Sequence, residues 1–454
     1  MTSLGFAQAA GPGDFVAARS QMAFSLGWHI IIACFGVGFP ALVLFAEWRG
    51  IRTGEVAYRL LARRWARAMG VLFAVGAVSG TILSFEMGIL WPGLMQRYGA
   101  VYGFPFALEG FAFFIEAIFL GIYLYGWDRL PPRVHLASGL PIVVAGVASA
   151  FFVVAANAWM NTPRGFRLVG GRVVDPDPWA AMFTPATGPE TTHMILAAMM
   201  VTGFAAAAVY AVAMLRGRRD RYHQLGLLLP LTVAAVITPV QIVVGDWAAR
   251  LVAADQPAKL AAMEGLYRTG AGVPIAIGGY YSGNTLHGAL EIPYGLSLLV
   301  HLDPHGVVQG LDVVPVTLRP PVTLVHLAFD LMVGIGFALL ALGGWLAWSW
   351  WRRRKMPATV WFLRAVAIAG VAATVAMEAG WVTTEVGRQP WIVYQLMTVR
   401  EAINPAPGLR YGLYAVLVVY TLLTVATIAV LRRLARHPVP VAPQESDVEE
   451  YSVI

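Results

Sequence analysis

The sequence predicts an all-α integral membrane protein with about nine transmembrane helices. Of its 454 residues, 58% are hydrophobic and 13% are charged, whereas soluble domains carry about 25% charged residues. Apolar stretches of about 20 residues, long enough to span a bilayer, recur along the chain. Clusters of arginine follow every second stretch, which is the pattern that orients a polytopic protein in its membrane.

The predicted spans follow one another along most of the chain. The connections after the odd-numbered spans are basic, as in 216–221 and 352–355. The positive-inside rule places these connections in the cytoplasm, the N-terminus outside it and the C-terminus inside it. The spans lie near 22–47, 69–91, 104–126, 136–159, 190–215, 224–247, 321–350, 359–384 and 409–431.

The spans form one polytopic domain, 1–431, followed by a cytoplasmic tail, 432–454. Between the sixth and seventh spans lies a long extracytoplasmic segment, 248–320, rich in Gly, Pro and polar residues. Connections of this length are usually functional or disordered. We therefore expect this loop to carry part of the function.

Two features of composition exclude other classes of function. The formal net charge is +7, but the basic residues cluster in short connections and form no stripe with interleaved aromatics, so no nucleic-acid binding is expected. The single cysteine, Cys34, lies in an apolar stretch. An intrachain disulfide and a CxxCH haem attachment site are therefore excluded, and any haem is held without thioether links.

Ionisable and soft side chains lie inside the predicted spans: Glu109, Glu116, His193, Met332 and Glu378. Ionisable groups are costly in hydrocarbon and usually persist there for a functional reason. Imidazole, thioether and carboxylate are also the groups that ligate haem iron or move protons. The chain is therefore predicted to be a membrane redox protein.

The histidines of the spans are the first candidate iron ligands. His29, His193 and His326 fall within spans, although a single histidine on a helix is more often a packed core residue. Met332 can supply a thioether opposite an imidazole, the pairing that holds some low-spin haems. Methionine is also a common filler of cores, and spacing alone does not select Met332 among the methionines.

The carboxylates suit proton transfer. Glu109 and Glu116 are seven residues apart, close to two helical turns, and so share one face of the third span. Glu378 is followed by Ala379 and Gly380, a small pair that lets a planar cofactor approach the backbone, with Trp381 as a further cofactor contact. Arg388 can clamp a haem propionate because a guanidinium matches a carboxylate in a bidentate way. The alternative is that these residues form ordinary ion pairs and helix ends.

Several blocks in register resemble subunit I of the cytochrome bd-type quinol oxidases, from Arg19 to about Arg433. The loop is similar to that of the short-loop branch of the family, often called cyanide-insensitive. Asp330, where some members have arginine, and Thr374, where some have tryptophan, depart from the family pattern. The blocks are Arg19 to Phe24 with Trp28-His29, Ala107 to Gly110 with Glu116, Gly126 to Arg129, Ala155 to Met160, Glu378 to Trp381, and Gly387 to Trp391.

The resemblance implies non-covalently bound haem b558, haem b595 and haem d. His193 and Met332 match the ligands of b558, while His29 and Glu378 match the ligands of the two high-spin haems, in either assignment. Glu109 and Glu116 match acids linked to the high-spin site and its proton supply. Lys259 and Glu264 match the functional positions of the quinol-binding stretch in the long loop.

The implied function is a quinol:O₂ oxidoreductase of the bacterial inner membrane. Quinol, either ubiquinol or menaquinol, is oxidised at the extracytoplasmic face, and O₂ is reduced to water with protons from the cytoplasm. This sidedness generates a proton motive force without pumping. The implied partners are a second oxidase subunit and the lipid bilayer, with room for a small single-helix subunit.

Two other functions compete with this interpretation. A haem–copper oxidase needs several histidines gathered at a copper site, and the spans hold too few. A proton-coupled secondary transporter would use Glu109, Glu116 and Glu378 to move a solute with protons. Pigment in the purified protein separates the oxidase from the transporter.

Overall fold

The computed structural model describes residues 12–436 and confirms the predicted class. Within that range nine helices are long and apolar enough to cross a membrane. Four short helices, α5, α8, α9 and α12, lie between them. The helices are α1 Pro12–Thr53, α2 Val56–Leu90, α3 Pro92–Gly126, α4 Pro132–Asn161, α5 Pro178–Met182, α6 Thr187–Leu215, α7 Arg221–Asp255, α8 Pro257–Met263, α9 Gly295–His301, α10 Val322–Arg353, α11 Val360–Gly387, α12 Val399–Ala402 and α13 Leu409–Arg436.

Several helices extend beyond their apolar stretches. α2 begins at Val56 rather than near residue 69, and α7 ends at Asp255 rather than near residue 247. A 35-residue helix such as α2 is about 52 Å long at 1.5 Å per residue, whereas the hydrocarbon core is about 30 Å thick. Hydropathy therefore locates the bilayer but not the ends of the helices. α13 continues to Arg436, and the rest of the predicted tail, 437–454, lies outside the described residues.

Helix α1 is at the centre of the bundle and packs against α2, α4, α6, α11 and α13. α6 in turn packs against α7 and α11, and α10 packs against the same two helices. Small residues permit the close approach of these helices to one another, as is usual in membrane proteins. A Cβ placed on Gly370 of α11 would lie 2.8 Å from the Cβ of Ala208 of α6.

The long segment after α7 is an ordered antiparallel structure. It begins with α8 and continues as nested pairs in which β3 pairs with β8, β4 with β7 and β5 with β6. We call the end of the bundle that carries this segment the loop end. The strands are β1 Arg167–Val169, β2 Arg172–Val174, β3 Gly270–Ala271, β4 Ile275–Ile277, β5 Tyr280–Ser282, β6 Thr285–His287, β7 Leu290–Ile292, β8 Val307–Val308, β9 Trp391–Val393 and β10 Met397–Thr398.

Candidate functional site

A cavity of about 980 Å³ lies inside the bundle among α1, α2, α3 and α4. This volume is at the upper end of the range for small-molecule and cofactor sites, about 300–1,000 Å³. Most of its lining is apolar. The predicted site residues among its walls are His29, Glu109, Glu116, Trp381 and Arg388.

His29 is held on α1 with one ring nitrogen occupied. Its Nδ1 lies 2.7 Å from the Ser79 hydroxyl, which lies 3.2 Å from the carbonyl oxygen of Val75 and 3.1 Å from that of Gly76. Carbonyl oxygens only accept, so Ser79 donates to them and accepts the Nδ1 proton of His29. The tautomer this fixes leaves the Nε2 lone pair for an iron, which is the usual way in which a ligating histidine is oriented.

Space for a cofactor exists beside this nitrogen. A Cβ on Gly80 would lie 3.2 Å from His29 Cε1 and 3.7 Å from His29 Nε2. Any residue larger than glycine at this position of α2 would therefore crowd the edge of the imidazole ring that a haem must approach.

Glu378 lies on α11 and faces α1 at a different position. Its Oε2 is 3.1 Å from where a Cβ on Gly27 would be, and its Oε1 is buried with no hydrogen-bond partner among residues 12–436. A buried carboxylate oxygen without a partner is costly. A bound iron would satisfy such an oxygen. Because Gly27 and His29 are about 200° apart around α1, His29 and Glu378 serve different sides of that helix.

His193 and Met332 lie in the group formed by α6, α7, α10 and α11. His193 Nε2 is 3.1 Å from the amide nitrogen of Gln241 on α7, and within the described chain its buried Nδ1 has no partner. Met332 Sδ is 2.9 Å from where a Cβ on Gly380 of α11 would be. Met332 thus presents its thioether where α11 keeps a glycine. His193 presents Nδ1, which has a free lone pair when the Gln241 carboxamide is turned so that its oxygen, buried and without a partner among the described residues, accepts the Nε2 proton. These donors fit a haem iron.

If Met332 ligates the low-spin haem that the resemblance implies, glycine at position 380 is necessary for that haem. A Gly380→Val side chain would displace the Met332 thioether, and we expect the low-spin haem band of the purified complex to fall about tenfold or to become high-spin, since disturbing ligand support costs 10–100-fold in affinity. Gly336→Val on α10 is the control, because no atom lies within 4 Å of a Cβ at that position. Equal spectra for the two variants would contradict the proposed position of Met332.

The acidic pair lies on the cavity wall opposite α1. Glu116 is buried, and its Oε1 is 3.8 Å from where a Cβ on Gly36 of α1 would be. Glu109 accepts a hydrogen bond of 3.2 Å from the hydroxyl of Ser149 on α4. The two carboxylates line the same cavity, as their spacing on α3 predicts.

The loop end contains a buried polar network centred on Asn161, which the sequence analysis did not single out. The Oδ1 of Asn161 accepts from Lys259 Nζ at 3.2 Å and from an Arg388 amino group at 3.0 Å, while its Nδ2 donates to Glu190 Oε1 at 2.8 Å. Arg388 also donates to Glu385 at 2.7 Å. Burial, and next the charge of Arg388, lower the pKa of the Lys259 amine to about 7, although Glu190 and Glu385 oppose the shift.

Glu264 lies at the other end of α8, in a separate environment. Its side chain is buried. Burial, and next the Asp330 carboxylate, raise the pKa of Glu264 to about 8, although a hydrogen bond from the Ala276 amide acts in the opposite direction. The structure therefore does not join Lys259 and Glu264 in one cluster; each end of α8 carries one titratable group.

His326 is not an iron ligand in this structure. Its Nδ1 is 2.7 Å from the Met263 carbonyl oxygen, and its Nε2 is 2.8 Å from that of Gly278. Both ring nitrogens are therefore occupied, whereas an axial ligand needs a free lone pair. This geometry removes His326 from the three histidines that the sequence left open.

A second buried cluster, at the opposite end of the bundle, was also missed. His135 Nδ1 is 2.6 Å from a Glu47 oxygen, the Tyr123 hydroxyl donates to the other Glu47 oxygen at 2.6 Å, and His135 Nε2 is 2.9 Å from the Tyr123 carbonyl oxygen. The predicted fourth span began one residue after His135. The position of His135 inside a helix and the apolar residues around Glu47 are the two sequence features from which this pair could have been predicted.

The histidine cluster of a copper site has no counterpart in the part of the chain that the structure describes, where no three His, Cys, Asp or Glu side chains group as a metal ion requires. A haem needs only one or two axial side chains from the protein. The donors described above meet that requirement.

Comparisons with known proteins match one family along most of the chain. The family model for cytochrome bd terminal oxidase subunit I matches residues 17–439. A Bacillus subtilis (strain 168) protein assigned as cytochrome bd menaquinol oxidase subunit I is 35% identical over 94% of this chain and 98% of its own length. Cytochrome bd ubiquinol oxidase subunit 1 of the same organism is 29% identical over 96% of this chain and 98% of its own length. The solved bd oxidase of Geobacillus thermodenitrificans superimposes with a TM-score of 0.88 at 39% identity, covering 93% of this chain and 98% of that one.

Proposed function

We propose a residue-level account of quinol oxidation and oxygen reduction for this chain, which belongs to the cytochrome bd terminal oxidase subunit I family. It is a multi-pass protein of the bacterial inner membrane and the haem-binding subunit of a quinol:O₂ oxidoreductase. It acts with a partner subunit. Because the chain belongs to an oxidase family, we no longer consider the alternative function of a proton-coupled transporter.

His193 and Met332 hold the low-spin haem b558, and His29 and Glu378 hold the high-spin haems b595 and d, in either assignment. The observation that carries this proposal is that each of the four donors faces a glycine or an unfilled hydrogen-bonding position within the helix bundle. When bound, the haems supply electron transfer from quinol and the reduction of O₂. Arg388 and Trp381, in the cavity wall, contact the cofactor there.

The test of this assignment uses the complex purified with its partner subunit. We expect a reduced-minus-oxidised spectrum with low-spin and high-spin haem bands, together with oxygen uptake that depends on added quinol. A colourless preparation of correctly assembled complex would end the proposal.

The quinol site is formed around α8 in the long segment. Glu264 acts as the base that takes a proton from a quinol hydroxyl, because a base is most effective when its pKa lies near the working pH. Lys259, which is part of the hydrogen-bond network around Asn161, binds a quinol oxygen. By the positive-inside rule the loop end is extracytoplasmic, so the protons of quinol are released outside.

Quinol oxidation is expected to slow as the pH falls. Because the pKa of Glu264 is raised to about 8, the group becomes the protonated acid as the pH decreases through that value and can no longer accept a proton. kcat/KM for quinol should then fall, approaching about tenfold per pH unit on the acid side. Steady-state oxygen uptake measured from pH 6 to 9 checks this.

Glu264→Gln is the matched variant for that profile. It keeps the shape of the side chain but cannot take a proton, so its kcat/KM should be low and independent of pH near 8. An unchanged acid limb in Glu264→Gln would show that another group is the base.

Oxygen reduction takes place at the cavity, where Glu109 and Glu116 deliver protons. Their carboxylates line its wall, and Glu116 is the more buried of the two. Protons drawn from the cytoplasm for water formation and protons released outside from quinol together separate charge across the membrane. A pumping element is unnecessary for this.

The partners follow from the surfaces of the bundle. The outer face of α3 exposes apolar side chains such as Phe111, Phe114 and Ile118, which require lipid or a partner subunit. Subunit II, and a small single-helix subunit, are the proposed occupants. The relatives are named for menaquinol and for ubiquinol, so the substrate class proposed here is quinol.

A further inference from the structure

His326 joins α10 to two separate segments of the loop end. It is fully buried, and its ring lies between the carbonyl oxygens of Met263 and Gly278, 2.7 Å and 2.8 Å away. Met263 is the last residue of α8, and Gly278 follows β4. A single side chain of α10 therefore holds two separate backbone segments of the loop end.

The two hydrogen bonds determine the charge of this ring. Carbonyl oxygens have no proton to donate, so both bonds form together only when both ring nitrogens carry a proton. His326 is then an imidazolium. A buried charge requires a partner, and Asp330, one turn later on α10, supplies it with Oδ2 at 3.4 Å from His326 Nε2.

Asp330 also takes part in holding the loop. Its Oδ2 accepts the Gly278 amide proton at 2.5 Å, so the peptide groups on both sides of this position are tied to α10. The Asp330 charge in addition raises the pKa of Glu264. The pair thus contacts the backbone next to Glu264 and influences the carboxyl itself.

Glu264 lies between these two attachments. It directly follows Met263, and its carboxyl accepts the amide proton of Ala276, two residues before Gly278. Movement of either segment would move the carboxyl. Among the described residues, Asp330 of α10 is the charged group that acts on its pKa.

We propose that His326, as an imidazolium paired with Asp330, is a positioning residue for quinol oxidation. It holds the backbone on both sides of Glu264 and balances the Asp330 charge, so that the carboxyl keeps both its place and its readiness to accept a proton. This inference rests on the proposed role of Glu264 at the quinol site.

The first experiment measures His326→Gln in the complete complex with its partner subunit. The glutamine amide carries no charge and reproduces only part of the hydrogen bonding of the histidine ring to the two carbonyl oxygens. We therefore expect KM for quinol to rise about tenfold, equivalent to about 1.4 kcal/mol, while the haem spectrum stays unchanged. Oxygen uptake driven by ascorbate and a small redox mediator, which bypasses the quinol site, should also be retained. An unchanged KM for quinol overturns the proposal.

A pair of variants gives a readout that a purely structural role would not produce. In His326→Gln the Asp330 charge loses its counter-ion, so the midpoint of the pH profile of quinol oxidation should move upward. In Asp330→Asn that charge is removed, so the midpoint should move downward. Shifts in the same direction, or no shift, contradict the proposal, and Asp330→Asn decides the matter if His326→Gln fails to assemble.

Two controls separate this inference from the proposed function. Thr323→Val removes another contact between α10 and the loop, the hydrogen bonds of the Thr323 hydroxyl with the Tyr281 backbone, and should leave the pH midpoint unchanged. If Glu264→Gln oxidises quinol normally, the proposed quinol site is wrong. If Glu264→Gln is impaired and His326→Gln is normal, only the positioning role of His326 is wrong.

Discussion

His193→Ala is expected to abolish the low-spin haem absorbance of the complex while the high-spin bands remain. The imidazole of His193 lies on α6 with a buried nitrogen that no described residue satisfies, and alanine leaves no donor in its place. Quinol-dependent oxygen uptake should fall at least about 100-fold, a loss of about 2.7 kcal/mol in transition-state stabilisation. The reduced-minus-oxidised spectrum is the primary measurement, because it reports ligation independently of turnover.

Met332→Ala should produce the same spectral loss, since it removes the thioether that α10 contributes. Met200→Leu is the matched control. Met200 is a buried methionine of α6, the helix that carries His193, and a swap of similar volume in a core usually costs less than about 1.5 kcal/mol. A low-spin band that survives in His193→Ala means that another side chain ligates that iron.

Glu378→Ala is expected to remove a high-spin band and oxygen reduction while leaving the low-spin band intact. Its carboxylate lies against Gly27 of α1, and its Oε1 has no hydrogen-bond donor within residues 12–436. Turnover should fall at least about 100-fold, equivalent to about 2.7 kcal/mol. Spectra and oxygen uptake of the purified variant check both parts.

Thermal stability distinguishes a ligand from an idle buried acid. A carboxylate that is buried without a partner destabilises a protein, so its removal would raise the midpoint of unfolding if nothing bound to it. Loss of a haem ligand should lower that midpoint, because binding stabilises the folded state. Glu47→Gln is the control, since both oxygens of this buried carboxylate have hydrogen-bond partners, Tyr123 and His135, and both spectral bands should persist.

The fold was largely predictable because the bilayer restricts the options. Only a helix satisfies its own backbone hydrogen bonds across hydrocarbon, so each apolar stretch predicts one helix. The ends were not predictable in the same way: the first turns of α2 contain Arg59, Arg63 and Arg64, which are poor in hydropathy yet good helix formers. The antiparallel loop was also unforeseen, since its strands are only two or three residues long.

The residues of the candidate site also differ in how well the sequence predicts them. Donor types such as His29 and Glu378 are conspicuous because they are rare in apolar helices. Asn161 carries no such signal, and its partners Lys259 and Arg388 are 98 and 227 residues away. Similarly, only the two carbonyl oxygens beside His326 reveal that its nitrogens are unavailable to iron.

The contact between Gly27 and the Glu378 carboxylate joins the beginning of the chain to its end. During synthesis at about 5–20 residues per second, the first membrane helix waits on the order of tens of seconds before the segment bearing Glu378 has been made. A ribosome that stalls before that point leaves the Gly27 side of α1 without its carboxylate. Cofactor loading at Glu378 must therefore follow the synthesis of α11, and nascent chains released early should accumulate without that cofactor as targets for membrane proteases.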